Sequence, residues 1–399
     1  MQKRRPPQIL ANRTDWKFKP NQLALRLKTL RESGVEILDL SESNPTRCKF
    51  QYLNDQLLSS LAQPENLSYE PSSKGILTTR RAVQNYYREK NVSVDPEQIF
   101  LTASTSEAYS FLFRLLTSPG ERILIPRPSY PLFDFLADLN DVQLDPYYLK
   151  YSERGWQIDM ESLIRHTHPG TKAIILVHPN NPTGSFLKSE ELNEIRKFAQ
   201  EKSLALISDE VFSDYAFLND PNCSSSLATN QEVLTFTLSG ISKVLGLPQM
   251  KLGWIVATGP KEILKPCIER LEFILDTYLS VNTPVQHALS FWFSLKNSIQ
   301  NEIAGRIQKN RIFLLDQIGT SHPASCLKTE GGWYAIVRIP TVLSEEEWVL
   351  EFLEKDHVYL HPGYFFDFEE EAYVVLSLLP HPETFKEGVS RILARIKDK

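Results

Sequence analysis

An amine, a carboxylate and an amide each stand at or just after a short hydrophobic run of this chain. The three side chains are Lys243, Asp209 and Asn181. A lysine amine forms a Schiff base, a carboxylate keeps a pyridine nitrogen protonated, and an amide bonds a phenolic oxygen. A lone lysine after a strand is usually a solvated cation, but the three groups in this order favour a site for pyridoxal 5'-phosphate.

A hydroxyl-rich turn precedes a helical pattern at residues 109–116. It contains Ser104, Thr105 and Ser106. The backbone N–H groups and the dipole at a helix start attract a phosphate dianion. The plainer alternative is a cluster that only caps the helix. We interpret the turn as the phosphate-binding element.

The bulk composition describes an ordinary folded chain. It has 399 residues, of which 42% are hydrophobic and 23% charged, so we expect more than one domain. The net charge of −5 argues against a nucleic-acid-binding role, and no apolar run has the length of a membrane span. The four cysteines form no C-x-x-C pair, which argues against a metal site and favours the cytoplasm.

Short apolar segments alternate with helical patterns through the middle of the chain. The predicted strands are 122–126, 173–177, 204–208, 233–238 and 252–257. The predicted helices between them are 132–139 and 189–202. Apolar strands separated by helices predict an α/β domain with a mostly parallel sheet covered on both faces. We expect this large cofactor-binding domain to span residues 46–280.

The ends of the chain follow a different pattern. Helical patterns cover 263–279, 291–315 and 383–397. Strand patterns cover 332–339, 358–360 and 373–378. Consecutive helices and strands without regular alternation predict a smaller α+β domain. We expect it to combine residues 281–399 with an N-terminal arm at 1–45.

Three motifs carry a family resemblance: N-P-x-G at 181–184, D-E at 209–210 and S-K at 242–243. With them the chain resembles the class I/II aminotransferases, which are fold-type I pyridoxal-phosphate enzymes, from about Leu38 to the C-terminus. The resemblance implies a sheet of the seven-stranded type. It also implies a Schiff base on Lys243 and transfer of an amino group between an amino donor and a 2-oxo acid.

The resemblance assigns further residues. Tyr130 matches the aromatic residue that stacks on the cofactor, and Lys251 matches a phosphate-binding cation. Tyr69 matches a tyrosine that reaches the phosphate of the partner subunit, which implies a homodimer with shared active sites. Three residues match the loop that borders the substrate: Ser43, Asn44 and Arg47.

Two positions depart from the family pattern. Phe212 stands where the family has a tyrosine that donates to the phenolic oxygen, and the loss of that hydrogen bond would raise the Schiff-base pKa. Val375 stands where an arginine clamps the substrate carboxylate, and an isopropyl group cannot replace a guanidinium. Either another residue, with Arg47 as the candidate, holds the carboxylate, or the substrate has none.

Three functions remain open at this point. The first is an aminotransferase, with glutamate or alanine as candidate donors. The second is a lyase or decarboxylase on the same fold, because the carboxylate grip decides which bond at the substrate Cα is activated. The third is a non-catalytic protein that binds pyridoxal phosphate. We favour the aminotransferase.

Overall fold

The computed structural model describes residues 9–16, 21–52, 54–217, 220–224, 226–279, 281–370 and 372–399. Its strands are β1 (Leu38–Asp39), β2 (Ile99–Thr102), β3 (Arg122–Arg127), β4 (Gln143–Ser152), β5 (Gly155–Ile158), β6 (Thr171–Val177), β7 (Ala205–Asp209), β8 (Thr235–Gly240), β9 (Gly253–Thr258), β10 (Ser325–Cys326), β11 (Tyr334–Arg338), β12 (Val358–Tyr359), β13 (His361–Pro362) and β14 (Tyr373–Ser377).

Its α-helices are α1 (Gln22–Glu32), α2 (Asp55–Ser59), α3 (Leu77–Glu89), α4 (Thr105–Leu116), α5 (Leu132–Leu139), α6 (Met160–Arg165), α7 (Ser189–Lys202), α8 (Ile241–Val244), α9 (Lys261–Tyr278), α10 (Thr283–Ser294), α11 (Lys296–Ile318), α12 (Glu345–Asp356) and α13 (Pro382–Lys397). Among the described residues, no helix combines the length and apolar character that crossing a membrane requires.

The large sheet has eight strands in the order β2-β9-β8-β7-β6-β3-β4-β5. β8, β7, β6, β3 and β4 run parallel, whereas β9 is antiparallel to both its neighbours. The mostly parallel sheet of the seven-stranded type is therefore confirmed. The eighth strand is the short β5, which returns antiparallel along the edge strand β4.

Helices cover both faces of this sheet. Ile207 of β7 packs in one cluster with residues of α4, α5 and α9, whereas its neighbour Leu206 packs on the other face with residues of α7. Successive side chains of a strand point to opposite faces, so a strand covered on both sides is apolar throughout. The carboxyl ends of β6, β7 and β8 consequently meet at one edge of the sheet.

The C-terminal part forms an antiparallel sheet in the order β10-β11-β14-β13, packed with α11, α12 and α13. β1 pairs in parallel with β12, and α1 packs on α12, so the N-terminal arm joins this part. The confirmed α+β character agrees with the sequence pattern. The exact domain limits remain a prediction. The helix α10, which was expected in the smaller domain, packs on α3, and α3 contacts β2 of the large sheet.

The helix-rich segment expected at 291–315 consists of two helices, α10 and α11, that meet at Leu295. Trp292 at the end of α10 donates to the Ser60 hydroxyl at 2.8 Å. Lys296 at the start of α11 forms an ion pair with Glu89 at 2.5 Å. These two anchors fix the directions of the helices separately, because tertiary contacts outweigh local helix propensity.

Candidate active site

The carboxyl edge of the large sheet brings Asp209 and Lys243 together. Asp209 is the last residue of β7, and Lys243 lies in α8 directly after β8. Asp209 pairs with Leu238 in the register of these parallel strands. Two groups at the ends of adjacent strands are thus held at one edge by the backbone itself. Their charges are coupled, since each shifts the other's pKa.

Asp209 has two hydrogen-bond donors and room for a third. Its Oδ1 accepts from the Val211 N–H at 3.1 Å, and its Oδ2 accepts from the Tyr109 hydroxyl at 3.0 Å. Burial raises the pKa of Asp209 to about 6, and the two donors and Lys243 oppose this rise. A carboxylate offers about four lone-pair sites, so it has the capacity to accept a pyridine N–H as well.

The Lys243 amine has a pKa well below the usual range of lysine. Burial lowers its pKa to about 8, and the nearby charge of Asp209 opposes that change. Its Nζ lies 4.6 Å from the centroid of the Trp333 ring and 5.2 Å from that of Phe212. The Tyr215 hydroxyl donates to the Lys243 carbonyl at 2.7 Å and fixes the backbone. Such an amine is a nucleophile for a carbonyl near physiological pH.

The hydroxyl-rich turn begins α4, as predicted. Ser104 is the N-cap residue, and its Oγ accepts from the Glu107 N–H at 3.1 Å. The Glu107 carboxylate accepts in turn from the Ala103 N–H at 2.6 Å. The hydroxyls of Thr105 and Ser106 have no hydrogen-bond partner within the described chain. The turn is therefore both a helix cap, through Ser104, and a source of free donors for a phosphate.

Gly240 lies where β8 and β9 approach each other closely. A Cβ on Gly240 would lie 3.0 Å from the Leu252 carbonyl oxygen and 3.1 Å from the Gly253 Cα. A side chain at this position would therefore require the neighbouring backbone of β9 to shift. Lys251, the predicted phosphate cation, is exposed, has a φ of 53° and forms no ion pair with any described residue.

Asn181 and Tyr130 border the same edge. The Oδ1 of Asn181 is buried and has no partner within the described chain, and its Nδ2 is the group that can donate to a phenolic oxygen. Tyr130 is 49% exposed just before α5. A carboxylate with a spare acceptor site, an amine with a lowered pKa, an amide and a helix start with free hydroxyls are the groups that pyridoxal phosphate needs. The residues present fit the cofactor.

The two departures from the family pattern are apolar in the structure. Phe212 is buried and contacts Trp333 edge-on with 5.3 Å between ring centroids. Val375 is 1% exposed and pairs with Ile336 and His361 on the neighbouring strands. The usual arginine position is therefore part of an apolar core, and no rotation of Val375 supplies a cation.

The structure places the remaining predicted residues differently from one another. Ser43 lies beside the Tyr334 hydroxyl, whereas Asn44 accepts from the Thr46 N–H and caps a short turn. The Arg47 side chain is 75% exposed and its guanidinium lies 3.7 Å from the Glu42 carboxylate. Tyr69 is 72% exposed. The roles assigned to these residues stay predictions.

Sequence reasoning missed Tyr109 and Tyr215. Tyr109 lies four residues after Thr105 and three after Ser106, so helical spacing puts all three on one face of α4. That spacing is the only signal that points to it. Tyr215 has no such signal, because its contact with Lys243 depends on tertiary packing.

Within the described part of the chain, no three His, Cys, Asp or Glu side chains cluster so as to hold a metal ion.

The chain is 27% identical over 382 residues to the glutamate-pyruvate aminotransferase AlaA of Haemophilus influenzae, covering 94% of this chain and 93% of the relative. It is 28% identical over 373 residues to an alanine aminotransferase of Mycobacterium tuberculosis, covering 91% and 86%.

Solved structures of aminotransferases have the same fold as this chain. An aminotransferase from Escherichia coli superposes with a TM-score of 0.83 at 26% identity, covering 94% of both chains. The alanine aminotransferase of Pyrococcus furiosus has a TM-score of 0.88 at 23% identity, covering 98% of this chain and all of that one. The family model of aminotransferase class I and II matches residues 35–392. The chain thus belongs to the class I and II aminotransferases, which depend on pyridoxal phosphate.

Proposed function

We propose that this aminotransferase moves the amino group of alanine or glutamate to a 2-oxo acid, with Lys243 and Asp209 as its catalytic residues. The relatives named above are alanine and glutamate-pyruvate aminotransferases. The observation that carries the assignment of the two residues is the pairing of an amine of lowered pKa with a buried carboxylate at adjacent strand ends.

Each residue has a defined task in this proposal. Pyridoxal phosphate, when bound, supplies the electron sink for the Cα–H electrons of the substrate. Lys243 would remove and return the Cα proton of the substrate, because its lowered pKa suits a general base. Asp209 accepts a hydrogen bond from the pyridine nitrogen and keeps that nitrogen protonated. Asn181 donates to the phenolic oxygen, while Ser104, Thr105, Ser106 and Lys251 receive the phosphate.

The substrate carboxylate requires a cation other than residue 375. We assign it to Arg47, which lies in the same loop as Ser43. The Arg47 guanidinium is held only by a long, solvent-exposed ion pair with Glu42. Exposed pairs of this kind contribute at most about 1 kcal/mol, so exchange of the Glu42 carboxylate for a substrate carboxylate costs little.

The proposal includes a cytoplasmic homodimer with shared active sites. Tyr69 is 72% exposed and Leu67 is 92% exposed, as expected for a segment that reaches a partner subunit. Large exposed apolar side chains of this kind are typical of interaction surfaces. All four cysteines are free thiols, which agrees with a reducing compartment.

The experiment is a spectroscopic screen of the purified protein loaded with pyridoxal phosphate. Amino donors are added one at a time, the change of the cofactor absorbance is recorded, and the products are identified by mass spectrometry. We expect alanine or glutamate to yield the matching 2-oxo acid in an amount equal to the enzyme. Lys243→Ala is the control and should give none. Release of carbon dioxide or of a β-substituent would instead assign a decarboxylase or lyase.

A further inference from the structure

The Tyr334 hydroxyl lies at the amide that is expected to bind the cofactor's phenolic oxygen. Tyr334 is the first residue of β11. Its hydroxyl is beside the Ser43 hydroxyl and the Asn181 side chain, and both act to lower its pKa, although burial raises that pKa to about 12. The ring of Tyr334 contacts Phe212 edge-on, with 6.3 Å between the centroids.

The position of Tyr334 is fixed by the C-terminal sheet. Tyr334 pairs with Ser377 of β14. The Ser377 N–H donates to the Leu40 carbonyl at 2.7 Å, so the loop that carries Ser43 is tied to the same sheet. Tyr334 and Ser43 therefore form one unit that faces Asn181, which belongs to the loop after β6.

A hydroxyl is missing at Phe212, whose ring contacts the ring of Tyr334. Phe212 provides no donor, and its buried ring packs against Trp333. The Oδ1 of Asn181 has no partner within the described chain, but an amide oxygen only accepts, so the Nδ2 of Asn181 is its one group that can donate to a phenolic oxygen. A developing phenolate beside Asn181 consequently needs a second donor from elsewhere, and an oxyanion buried with only one donor is costly.

We propose that Tyr334 supplies, from the C-terminal sheet, the hydroxyl that Phe212 lacks, and that it donates to the phenolic oxygen next to Asn181. Ser43 takes no part in the chemistry, and its hydroxyl orients the Tyr334 hydroxyl. This inference rests on the proposed function. It makes the charge of the phenolic oxygen sensitive to how the C-terminal sheet sits on the large sheet, because the two donors come from different parts of the fold.

A donor to the phenolic oxygen weakens the hold of that oxygen on the proton of the Lys243 Schiff base and lowers its pKa. The test is an absorbance titration of the cofactor-loaded protein against pH. Tyr334→Phe is expected to raise the apparent Schiff-base pKa by about one. Adding Phe212→Tyr to that variant should return the pKa toward its original value. Tyr359→Phe, which removes another partly buried hydroxyl of the C-terminal part, should leave it unchanged.

Two results would overturn this assignment. One is an unchanged Schiff-base pKa in Tyr334→Phe together with weaker binding of the amino donor, which would make Tyr334 a substrate contact. The other comes from Phe212→Tyr alone, which also serves if Tyr334→Phe does not fold. That variant should lower the pKa only slightly when Tyr334 already donates, and a fall of about one would contradict the proposal.

Failure of the proposed function gives a separate signal. Borohydride reduction followed by mass spectrometry of the peptides reports whether the cofactor is attached to Lys243. No attachment in the unaltered protein would remove the proposed function and this inference together. Attachment at Lys243 in every variant, with one common Schiff-base pKa, would remove the role of Tyr334 alone.

Discussion

The Tyr109 hydroxyl donates a hydrogen bond to the Asp209 Oδ2 at 3.0 Å. Tyr109 is buried on α4, the helix whose first turn carries Thr105 and Ser106. An edge-on contact with Phe133, at 5.1 Å between ring centroids, holds the Tyr109 ring in place. One helix therefore carries both the turn proposed for the phosphate and the hydroxyl that is bonded to Asp209.

Replacement of Tyr109 by phenylalanine should weaken cofactor binding. The change removes the hydroxyl that lowers the pKa of Asp209, so the carboxylate becomes harder to ionise. A hydrogen bond to a charged group contributes about 1.5–3 kcal/mol. We expect the Kd for pyridoxal phosphate to rise about tenfold or more, measured by fluorescence titration at neutral pH.

Tyr147→Phe is the matched control. Tyr147 is equally buried, and its hydroxyl donates to the Ile175 carbonyl at 2.7 Å rather than to the site. Its loss should lower the free energy of unfolding without changing the Kd for the cofactor. Equal cofactor affinity of Tyr109→Phe and the unaltered protein would show that the bond does not position Asp209.

The buried Glu210 should make the stability of the cofactor-free protein depend on pH. Burial raises its pKa to about 7, opposed by hydrogen bonds from the Leu227 N–H and the Ser226 hydroxyl. In the unfolded chain the pKa is about 4.3. The folded protein therefore holds a proton that the unfolded chain has released, so this contribution is complete below pH ~4.3 and is lost as the pH rises through ~7.

Glu210→Gln removes this titration while keeping the size of the side chain. We expect the free energy of unfolding of the variant, relative to the unaltered protein, to increase between pH 5 and 8 by an amount on the order of 3 kcal/mol. Urea unfolding at several pH values measures it. The surface variant Glu65→Gln controls for charge removal alone. A difference that is constant with pH would mean that Glu210 stays ionised in the fold.

The sequence is sufficient to predict that Asp209 and Lys243 share one site. Both follow apolar strands, and the carboxyl ends of parallel strands meet at the same edge of a sheet. The break at Leu295 is different, because no glycine or proline marks it. The break depends on two long-range contacts. Trp292 bonds to Ser60, which lies 232 positions earlier in the chain, and Lys296 bonds to Glu89, which lies 207 positions earlier. No local pattern contains such contacts.

Side-chain direction is the second limit of sequence reasoning. The family resemblance assigns Val375 to the arginine position, but only the strand register brings Ile336 and His361 to its sides. The Tyr109–Asp209 bond likewise joins residues 100 positions apart. Strand ends and helix starts are local properties, whereas the partners of a buried hydroxyl are set by packing.

A mixing experiment tests the shared active site. If Tyr69 serves the partner's site, a heterodimer of a Tyr69→Ala chain and a Lys243→Ala chain has one site with both defects and one intact site. Equal mixtures that are refolded together should regain about a quarter of the unaltered activity. Half of the dimers are mixed, and each mixed dimer has one intact site of its two. Each variant alone should be nearly inactive. No recovery on mixing, with dimers present by sedimentation, would place Tyr69 in its own subunit's site.

Replacement of Arg47 by alanine tests the source of the carboxylate grip. We expect the apparent Kd of every accepted amino acid to rise about tenfold or more, since a guanidinium–carboxylate contact is charge-assisted. Titration of the cofactor absorbance with each donor measures the change. Lys49→Ala, which removes the next exposed cation along the chain, should have little effect.

The matched amines without a carboxylate complete this test. They bind without the Arg47 contact, so Arg47→Ala should leave their weak affinity unchanged. The affinity for amino acids relative to that for the plain amines should therefore fall in this variant. Should Arg47→Ala leave the affinity for amino acids unchanged as well, the guanidinium does not hold the carboxylate. Strong binding of the plain amines by the unaltered protein would then mean that the apolar surroundings of Val375 select a substrate without an α-carboxylate.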